Sequence, residues 1–463
     1  MAFLARERSY APANFNRWLI PPAALSVHLA IGQAYATSVY KNSLIEHFEV
    51  SQTAIGVIFS IAIAMLGISA AVMGTWVEKN GPRRAMFVSA CFWASGFLIG
   101  ALGIFTKQLW LLYLGYGFIG GIGLGIGYIS PVSTLMKWFP DRPGMATGMA
   151  IMGFGGGALV ASPLSSQLLR LYDPLAAEGI SPSGDAVGKL FLTLGIAYFI
   201  FMMYGVINMR LPQPGWKPKG WVPKVDTDNK MITTAHVSAK NAIKTKQFWF
   251  LWIVLCFNVT AGIGLLEQAS PMIQDFFRGT DGTTSVIPAV AAGFVGVLSI
   301  ANMAGRFVWS TTSDIIGRKP TYMMYLGVGA LVYFILAMWG NSAMWLFVLL
   351  AFIMLSFYGG GFSTIPAYLK DLFGTYQVGA IHGRLLTAWS AAGILGPLIV
   401  NGMLDAQGEP GTMTAENYKP VLLTMVGLLV IGFIANLLVK PVDKKFHEPE
   451  EVTRGLNPTD GGH

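Results

Sequence analysis

The chain has 463 residues, of which 54% are hydrophobic and 12% charged, with 55 glycines and 13 tryptophans. A soluble domain carries about twice that share of charged residues, whereas Gly and interfacial aromatics are enriched in membrane helices. The net charge of +8 comes without a basic stripe interleaved with aromatics, which argues against nucleic-acid binding. The two cysteines lie inside apolar runs and predict neither a disulfide framework nor a metal site.

Apolar segments long enough to cross about 30 Å of hydrocarbon recur along the chain. They predict an all-α membrane protein with twelve spans. The predicted spans are Trp18–Tyr40, Thr53–Val77, Ala85–Phe105, Leu109–Trp138, Met145–Leu169, Val187–Met209, Phe248–Met272, Val286–Trp309, Thr321–Trp339, Ala343–Tyr368, Val378–Leu404 and Val421–Val439.

The distribution of lysine and arginine predicts the orientation in the membrane. Most of the 31 basic residues fall in the tails and in loops on one side, and the positive-inside rule makes that side cytoplasmic. Both termini are therefore expected in the cytoplasm of a cell carrying the protein in its inner or plasma membrane. The basic residues expected outside are Lys41, Lys107, Arg170, Lys189, Arg278 and Lys419.

The spans divide into two sets of six around a polar stretch rich in Pro and Lys. We predict a cytoplasmic N-tail (1–17), an N-terminal six-helix bundle (18–209), a cytoplasmic linker (210–247), a C-terminal six-helix bundle (248–440) and a cytoplasmic C-tail (441–463). Related motifs recur at a nearly constant offset between the halves. A duplicated unit of this kind is typical of carriers whose bundles rock around a site near the membrane midplane.

Two matching loop segments carry a family resemblance. Residues 74–84 read GTWVEKNGPRR and residues 310–319 read STTSDIIGRK, and both resemble the loop signature of the major facilitator superfamily. The first copy has Glu78 where Asp is usual, and the second has Ser310 in place of the leading Gly. The resemblance implies a cytoplasmic gate whose ion pairs form and break during transport. The residues expected in this gate are Glu78, Gly81, Arg83, Arg84, Asp314, Gly317, Arg318, Lys319, Asp141, Arg142, His382 and Arg384.

Further motifs resemble the oxalate/formate antiporter family, which is related to the monocarboxylate transporters and carries small carboxylate anions. They are KWFPDRPGMATG at 137–148, GFGGGA at 153–158, GAIHGR at 379–384 and AAGILGP at 391–397. Members that exchange oxalate carry a lysine in the eleventh span. This chain has no lysine there and reads Thr387-Ala-Trp389-Ser390, so a dianion would lack a second cation.

Arg306 is the outstanding residue within the predicted spans. It lies in the eighth span, eight residues before Asp314, and an arginine at this depth must face a cavity or a partner. Its planar guanidinium matches a carboxylate and stays charged. We predict that it anchors a substrate carboxylate; the alternative is an arginine that snorkels to the cytoplasmic surface. The monocarboxylate-transporter resemblance also implies an arginine at this point.

A site around one cation needs a compact lining with a few hydrogen-bond donors. Tyrosine suits this role because its ring is apolar and its hydroxyl binds anions. Tyr128 is also the position where the family resemblance implies a tyrosine, and Trp389 would fill volume near the missing lysine. Each of these residues could equally serve in helix packing. The candidates are Gln33, Tyr35, Tyr128, Asn302, Tyr358 and Trp389.

The remaining sequence features bear on how transport is driven and on whether the protein has a function other than transport. The sequence has no ATPase motif, which indicates a secondary carrier without a cofactor, and Glu267 and His28 are the candidates for proton coupling. Scattered histidines and the lack of paired intramembrane carboxylates argue against an enzyme, while a transporter-like membrane sensor remains an alternative. We expect a carrier, functional as a monomer, of a monocarboxylate such as lactate, pyruvate or formate. It would be coupled to protons or to a counter-transported anion, with oxalate/formate-type exchange as the second candidate.

Overall fold

A computed structural model describes residues 2–174, 182–221, 231–279, 285–286, 288–407, 413–449 and 452. Ten of its helices are long and apolar enough to cross a membrane. We number these ten helices together with two others, Ile20–Ile31 and Pro288–Ile316, which become α1 and α8 in a series of twelve. The series is α1 Ile20–Ile31, α2 Gln52–Asn80, α3 Pro82–Phe105, α4 Leu109–Trp138, α5 Pro143–Tyr172, α6 Gly184–Asn208, α7 Lys246–Glu267, α8 Pro288–Ile316, α9 Arg318–Trp339, α10 Met344–Phe373, α11 Val378–Asp405 and α12 Ala415–Leu438.

The helices pack as two sets of six, which we call the N-terminal bundle (α1–α6) and the C-terminal bundle (α7–α12). Inside the first set, α3 packs extensively on α4 and α6, and α2 packs on α4; inside the second, α8 packs on α10 and α9 packs on α12. Between the sets, α5 packs on α8 and α10, and α2 packs on α11. The residues of these crossing helices therefore decide how one bundle moves against the other.

The first predicted span is not one α-helix. The segment begins with a 3₁₀ turn at Arg17–Leu19, is α-helical over Ile20–Ile31, and continues as 3₁₀ helix over Gly32–Tyr40. Gly32 packs directly on the backbone of α5, where a Cβ atom would overlap the carbonyl oxygen of Phe154. Apolar composition alone cannot distinguish an α-helix from a tighter 3₁₀ helix, so the change at Gly32 was not predicted.

Several other predicted ends were also wrong, because hydropathy stops at polar residues while backbone hydrogen bonding continues through them. The seventh predicted span, Phe248–Met272, is divided into α7 and a short helix at Ala269–Phe276. The eighth extends beyond Trp309 to Ile316 and thereby carries Asp314 on the same helix as Arg306. The twelfth begins at Ala415 rather than Val421, where Thr414 and Asn417 form a capping box.

Candidate functional site

Arg306 is fully buried between the two bundles, with 0% of its surface exposed. Its Nε donates to Oδ1 of Asn302 at 3.1 Å, and its Nη1 donates to the carbonyl oxygen of Ile151 on α5 at 3.2 Å. Gly155 leaves room for the side chain, since a Cβ there would lie 2.8 Å from Nε of Arg306. The arginine therefore does not snorkel to the surface but spans the contact between α8 and α5.

Aromatic rings from both bundles surround this guanidinium. Its Cζ lies 5.7 Å from the ring centroid of Phe154 and 5.2 Å from that of Phe362, both within the range of cation–π attraction. Trp389 packs on both rings, at 5.4 and 4.4 Å. We call the whole cluster the aromatic cage; it consists of Tyr35, Tyr128, Phe154, Tyr358, Phe362 and Trp389.

The two tyrosines from opposite bundles meet on one side of the cage. The hydroxyl of Tyr35, from the 3₁₀ segment, lies 3.4 Å from the hydroxyl of Tyr358 on α10. Tyr128, on α4, packs on Phe154 at 5.6 Å and on Trp389 at 5.5 Å. The cage thus joins the 3₁₀ segment that follows α1 with α4, α5, α10 and α11 around Arg306 of α8.

Three donors of this cluster are buried without a partner among the described residues: Nη2 of Arg306, the hydroxyl of Tyr128 and Nε1 of Trp389. An unsatisfied buried donor costs about 1–3 kcal/mol, and more when it is charged. Three unsatisfied donors in one cluster of touching side chains are unusual for a packed core. Since no carboxylate of the described residues pairs with Arg306, the group can accept an anion that offers two or more oxygen atoms.

The structure does not bring every predicted lining residue into the cage. Asn302, Tyr35, Tyr128, Tyr358 and Trp389 belong to the cluster around Arg306. Gln33 instead donates to the hydroxyl of Tyr40 and accepts from that of Tyr116, each at 3.0 Å, inside the N-terminal bundle. The side chain of Glu267 lies outside what the structure describes.

Phe154 and Phe362 form two walls of the cage and were not predicted from the sequence. A signal was present for both, because Phe154 lies within the GFGGGA motif and Phe362 follows three consecutive glycines in α10. The two candidate histidines also lie together: the rings of His28 and His382 pack on Tyr128 at 5.4 and 5.9 Å. His382, expected in the gate, therefore lies beside the cage.

At the end of the interface that carries the loop signatures, Asp314 links the two bundles. Its carboxylate accepts from the backbone amides of Gly144 and Met145, each at 2.8 Å, at the first turn of α5. A carboxylate is favoured there by the free amides and the dipole of the helix. Arg318 donates to the same carboxylate at 2.5 Å and to Asp371 at 3.1 Å.

Two further contacts close the same end. The hydroxyl of Thr147 donates to the carbonyl oxygen of Ser363 at 2.7 Å, and Nζ of Lys370 donates to that of Pro140 at 3.1 Å. A Cβ at Gly144 would overlap the carbonyl oxygen of Ser310, so the helices touch through backbone. The structure is closed on this side.

The first copy of the loop signature makes most of its contacts within the N-terminal bundle. Glu78 pairs with Lys137 at 2.6 Å, and Arg83 donates to the carbonyl oxygens of Met209 and Arg8, each at 2.9 Å. Among the other predicted gate residues, Arg84 donates to Asn80 at the surface, and Asp141 pairs with Arg17 at 2.7 Å. Lys319 donates to the carbonyl oxygens of Leu437 and Val439, Arg142 is exposed and Arg384 is half-buried. Gly81 and Gly317 have φ angles of +83° and +88°.

Two six-helix bundles that meet around a buried cation, and that close against each other at one end, define a helical membrane transporter. The chain belongs to the major facilitator superfamily, whose family profile matches residues 23–397 and 288–458. It is therefore a membrane-embedded transporter and not an enzyme.

The chain is similar over most of its length to known carriers and to solved transporter structures. The chain is 26% identical over 449 residues to the oxalate:formate antiporter of Oxalobacter formigenes, covering 94% of this chain and 96% of that protein. It is 24% identical over 397 residues to apicoplast pyruvate carrier 1 of Toxoplasma gondii, covering 76% and 70%. The fold matches the crystal structure of the superfamily transporter FucP in the outward conformation, with a TM-score of 0.65 and 12% identity over 92% of this chain and 100% of the other.

Proposed function

We propose that this protein is a secondary active transporter of a small monocarboxylate, such as lactate, pyruvate or formate. One observation carries the proposal: Nη2 of Arg306, the hydroxyl of Tyr128 and Nε1 of Trp389 are buried together without partners. A carboxylate paired with the guanidinium would satisfy the charged donor and one or both of the others. The cage walls would exclude water and so strengthen this pairing.

The charge of the site supports a singly charged substrate. Arg306 is the one cation that the described residues place inside the cage, and it is already surrounded by aromatic rings. A second carboxylate would have to enter the apolar part of the cage without a compensating charge, which is costly. The pyruvate carrier of Toxoplasma gondii among the relatives agrees with a monocarboxylate.

Transport would proceed by alternating access around this fixed site. Closure on the Asp314 side would hold the substrate away from the cytoplasm, and rupture of the contacts to the first turn of α5 would release it there. In this proposal the loop signatures, and with them both termini, lie on the cytoplasmic face of the cell membrane. Since each bundle contributes to the one site, a monomer would suffice for transport.

Oxalate/formate-type exchange is the second candidate, favoured by the 26% identity to the antiporter of Oxalobacter formigenes. Trp389 discriminates between the two candidates because it occupies the region where a second cation would be needed. We expect Trp389→Lys to move the substrate preference from monoanions toward oxalate. Trp389→Phe, which keeps a smaller aromatic wall and adds no charge, serves as its control and should leave the preference unchanged.

Uptake of labelled lactate, pyruvate, formate and oxalate into proteoliposomes tests the proposal. Each acid is offered with and without an inward proton gradient and with and without anion loaded inside. Monocarboxylate uptake into empty vesicles supports a carrier built around Arg306, and uptake only into preloaded vesicles indicates an exchanger. Failure of every acid to enter would contradict the proposed substrate class.

A further inference from the structure

A pair of histidines lies next to the cage, one from each bundle. His28 is on α1 and His382 is on α11, and both are completely buried. Their rings pack against Tyr128, with centroid distances of 5.4 and 5.9 Å. Tyr128 in turn packs on Phe154 and Trp389, so one aromatic ring separates the histidines from the proposed anion site.

The tautomer of His28 follows from the hydrogen bond at Nδ1. Its Nδ1 lies 3.2 Å from the carbonyl oxygen of Ala24, and a carbonyl can only accept, so Nδ1 carries the hydrogen. In the neutral ring Nε2 is then a bare acceptor. Among the described residues Nε2 has no partner. The ring therefore presents a basic nitrogen that is free to take a proton.

His382 adds a second acceptor of the same kind. Both of its nitrogens are buried without a partner among the described residues, so one lone pair is free in either tautomer. The described part of the chain holds no group of three or more His, Cys, Asp and Glu residues that could bind a metal ion. Two imidazoles without a third ligand favour a proton over a metal as the occupant.

The charged and titratable neighbours decide when such a proton can bind. The charge of Arg306 on α8 faces His28, and His28 itself faces His382. On the cytoplasmic side, the ion pair of Glu78 on α2 with Lys137 on α4 lies next to Gly379 at the start of α11. Tyr128 of α4 packs on both histidines. Further tyrosines lie around Tyr128 and so surround the pair at a greater distance: Tyr35 of the 3₁₀ segment, Tyr322 of α9 and Tyr358 of α10.

We infer that His28 and His382 form a proton-binding site, and that a proton binds there when a carboxylate pairs with Arg306. In the empty carrier the guanidinium repels a second positive charge in a medium of low dielectric. A bound carboxylate cancels that repulsion, so anion and proton favour each other's binding by the same factor. The inference rests on the proposed function and adds its coupling: symport of one proton with one monocarboxylate, without change in the net charge of the carrier.

The placement of the pair also indicates where the proton leaves. His28 belongs to the N-terminal bundle and His382 to the C-terminal bundle, and they share Tyr128 while the cytoplasmic end is closed. When the bundles separate at Asp314, the two rings move apart and water reaches them from the cytoplasm. The proton site is thus complete only in the closed state and is dismantled by opening.

Proton uptake on substrate binding tests this inference directly. Pyruvate is added to the purified full-length protein in weakly buffered detergent solution near about pH 7, where carboxylic acids are already ionised. Any proton that leaves the solution must then bind the protein. We expect up to one proton per bound pyruvate for the wild type, less for His28→Gln or His382→Gln, and none for the double variant.

The affinity for pyruvate gives a second readout over about pH 6 to 8. Wild-type affinity should rise by up to about tenfold for each unit of falling pH, whereas the double variant should bind with little pH dependence. Binding by the variant at the alkaline end shows that it is folded. His447→Gln is the control: His447 lies in the cytoplasmic tail, where partial burial and Lys444 lower its pKa, and its loss should leave the proton count unchanged.

The outcomes separate the inference from the proposed function. If the wild type binds pyruvate and takes up no proton, or if the double variant takes up as many protons as the wild type, the proton site is overturned while carboxylate transport stands. If the wild type binds no monocarboxylate at any pH, the proposed function fails and the proton site with it. The wild-type proton count decides even if the double variant does not fold.

Discussion

Arg306 and Arg318 are both buried arginines on the interface side of the C-terminal bundle, twelve residues apart in the chain, yet their surroundings differ. Arg318 donates to two carboxylates, Asp314 and Asp371. Arg306 has no carboxylate among the described residues and keeps Nη2 without any partner. A satisfied arginine holds a structure together, whereas an unsatisfied one with the same burial is prepared for a ligand. The end near Asp314 is thus a closed contact, and the cage is the proposed binding site.

The largest effect that would test this contrast is expected from Arg306→Lys. An ammonium keeps the charge but cannot form the fork of hydrogen bonds with a carboxylate. Loss of about 1.5–3 kcal/mol of charge-assisted hydrogen bonding should lower monocarboxylate uptake in proteoliposomes by about ten- to a hundredfold. Arg170→Lys, at an exposed position near the end of α5, should transport like the wild type. Normal uptake by Arg306→Lys would remove the arginine from the site.

A smaller and different effect is expected from Asp314→Asn. The amide cannot offer a negative charge to the first turn of α5, so the closed state should lose about 1–2 kcal/mol relative to the cytoplasm-open state. Spin labels at Lys79 and Ile315, in a background without the two native cysteines, would report the population with separated bundles by pulsed electron resonance. We expect about a tenfold increase in that population.

Asp185→Asn is the matched control for this variant, because Asp185 forms an exposed pair with Lys189 at the first turn of α6. It should leave the distance distribution unchanged. An unchanged distribution in Asp314→Asn itself would mean that the carboxylate does not control closure, and the contrast between Arg306 and Arg318 would lose its functional meaning.

The sequence predicted the parts of this contrast unevenly. The all-α membrane fold, the buried Arg306 and its neighbour Asn302 followed from hydropathy and from the cost of a charge in a membrane. The loop signature led to Asp314, but it also led to Arg83, which binds carbonyl oxygens of its own bundle. A motif indicates that a residue matters at this end of the bundles without saying which bundle it contacts.

The contact partners of each side chain could not be predicted from the sequence alone. Gln33 and Tyr35 lie two residues apart, yet the 3₁₀ conformation of this segment directs one amide toward Tyr116 and the other side chain toward Tyr358. Phe154 and Phe362 are apolar residues among many, and only the packing of α5 and α10 on Arg306 distinguishes them. Choices of this kind depend on tertiary packing and not on local pattern.

The smallest expected effect is a loss of pyruvate affinity in Gly155→Ala. This variant tests how accurately the guanidinium of Arg306 must be positioned. The added Cβ would lie 2.8 Å from Nε and 3.0 Å from Cδ of Arg306, so the side chain must shift by a few tenths of an ångström. Overpacking of this kind costs about 1 kcal/mol or more, and we expect the affinity for pyruvate to fall by about three- to tenfold with folding retained. Gly296→Ala is the control, since that position of α8 faces open space and alanine favours a helix. An unchanged affinity in Gly155→Ala would show that the position of the guanidinium does not matter for pyruvate binding. Arg306 would then hold the two bundles together, as Arg318 does, and would not bind the substrate.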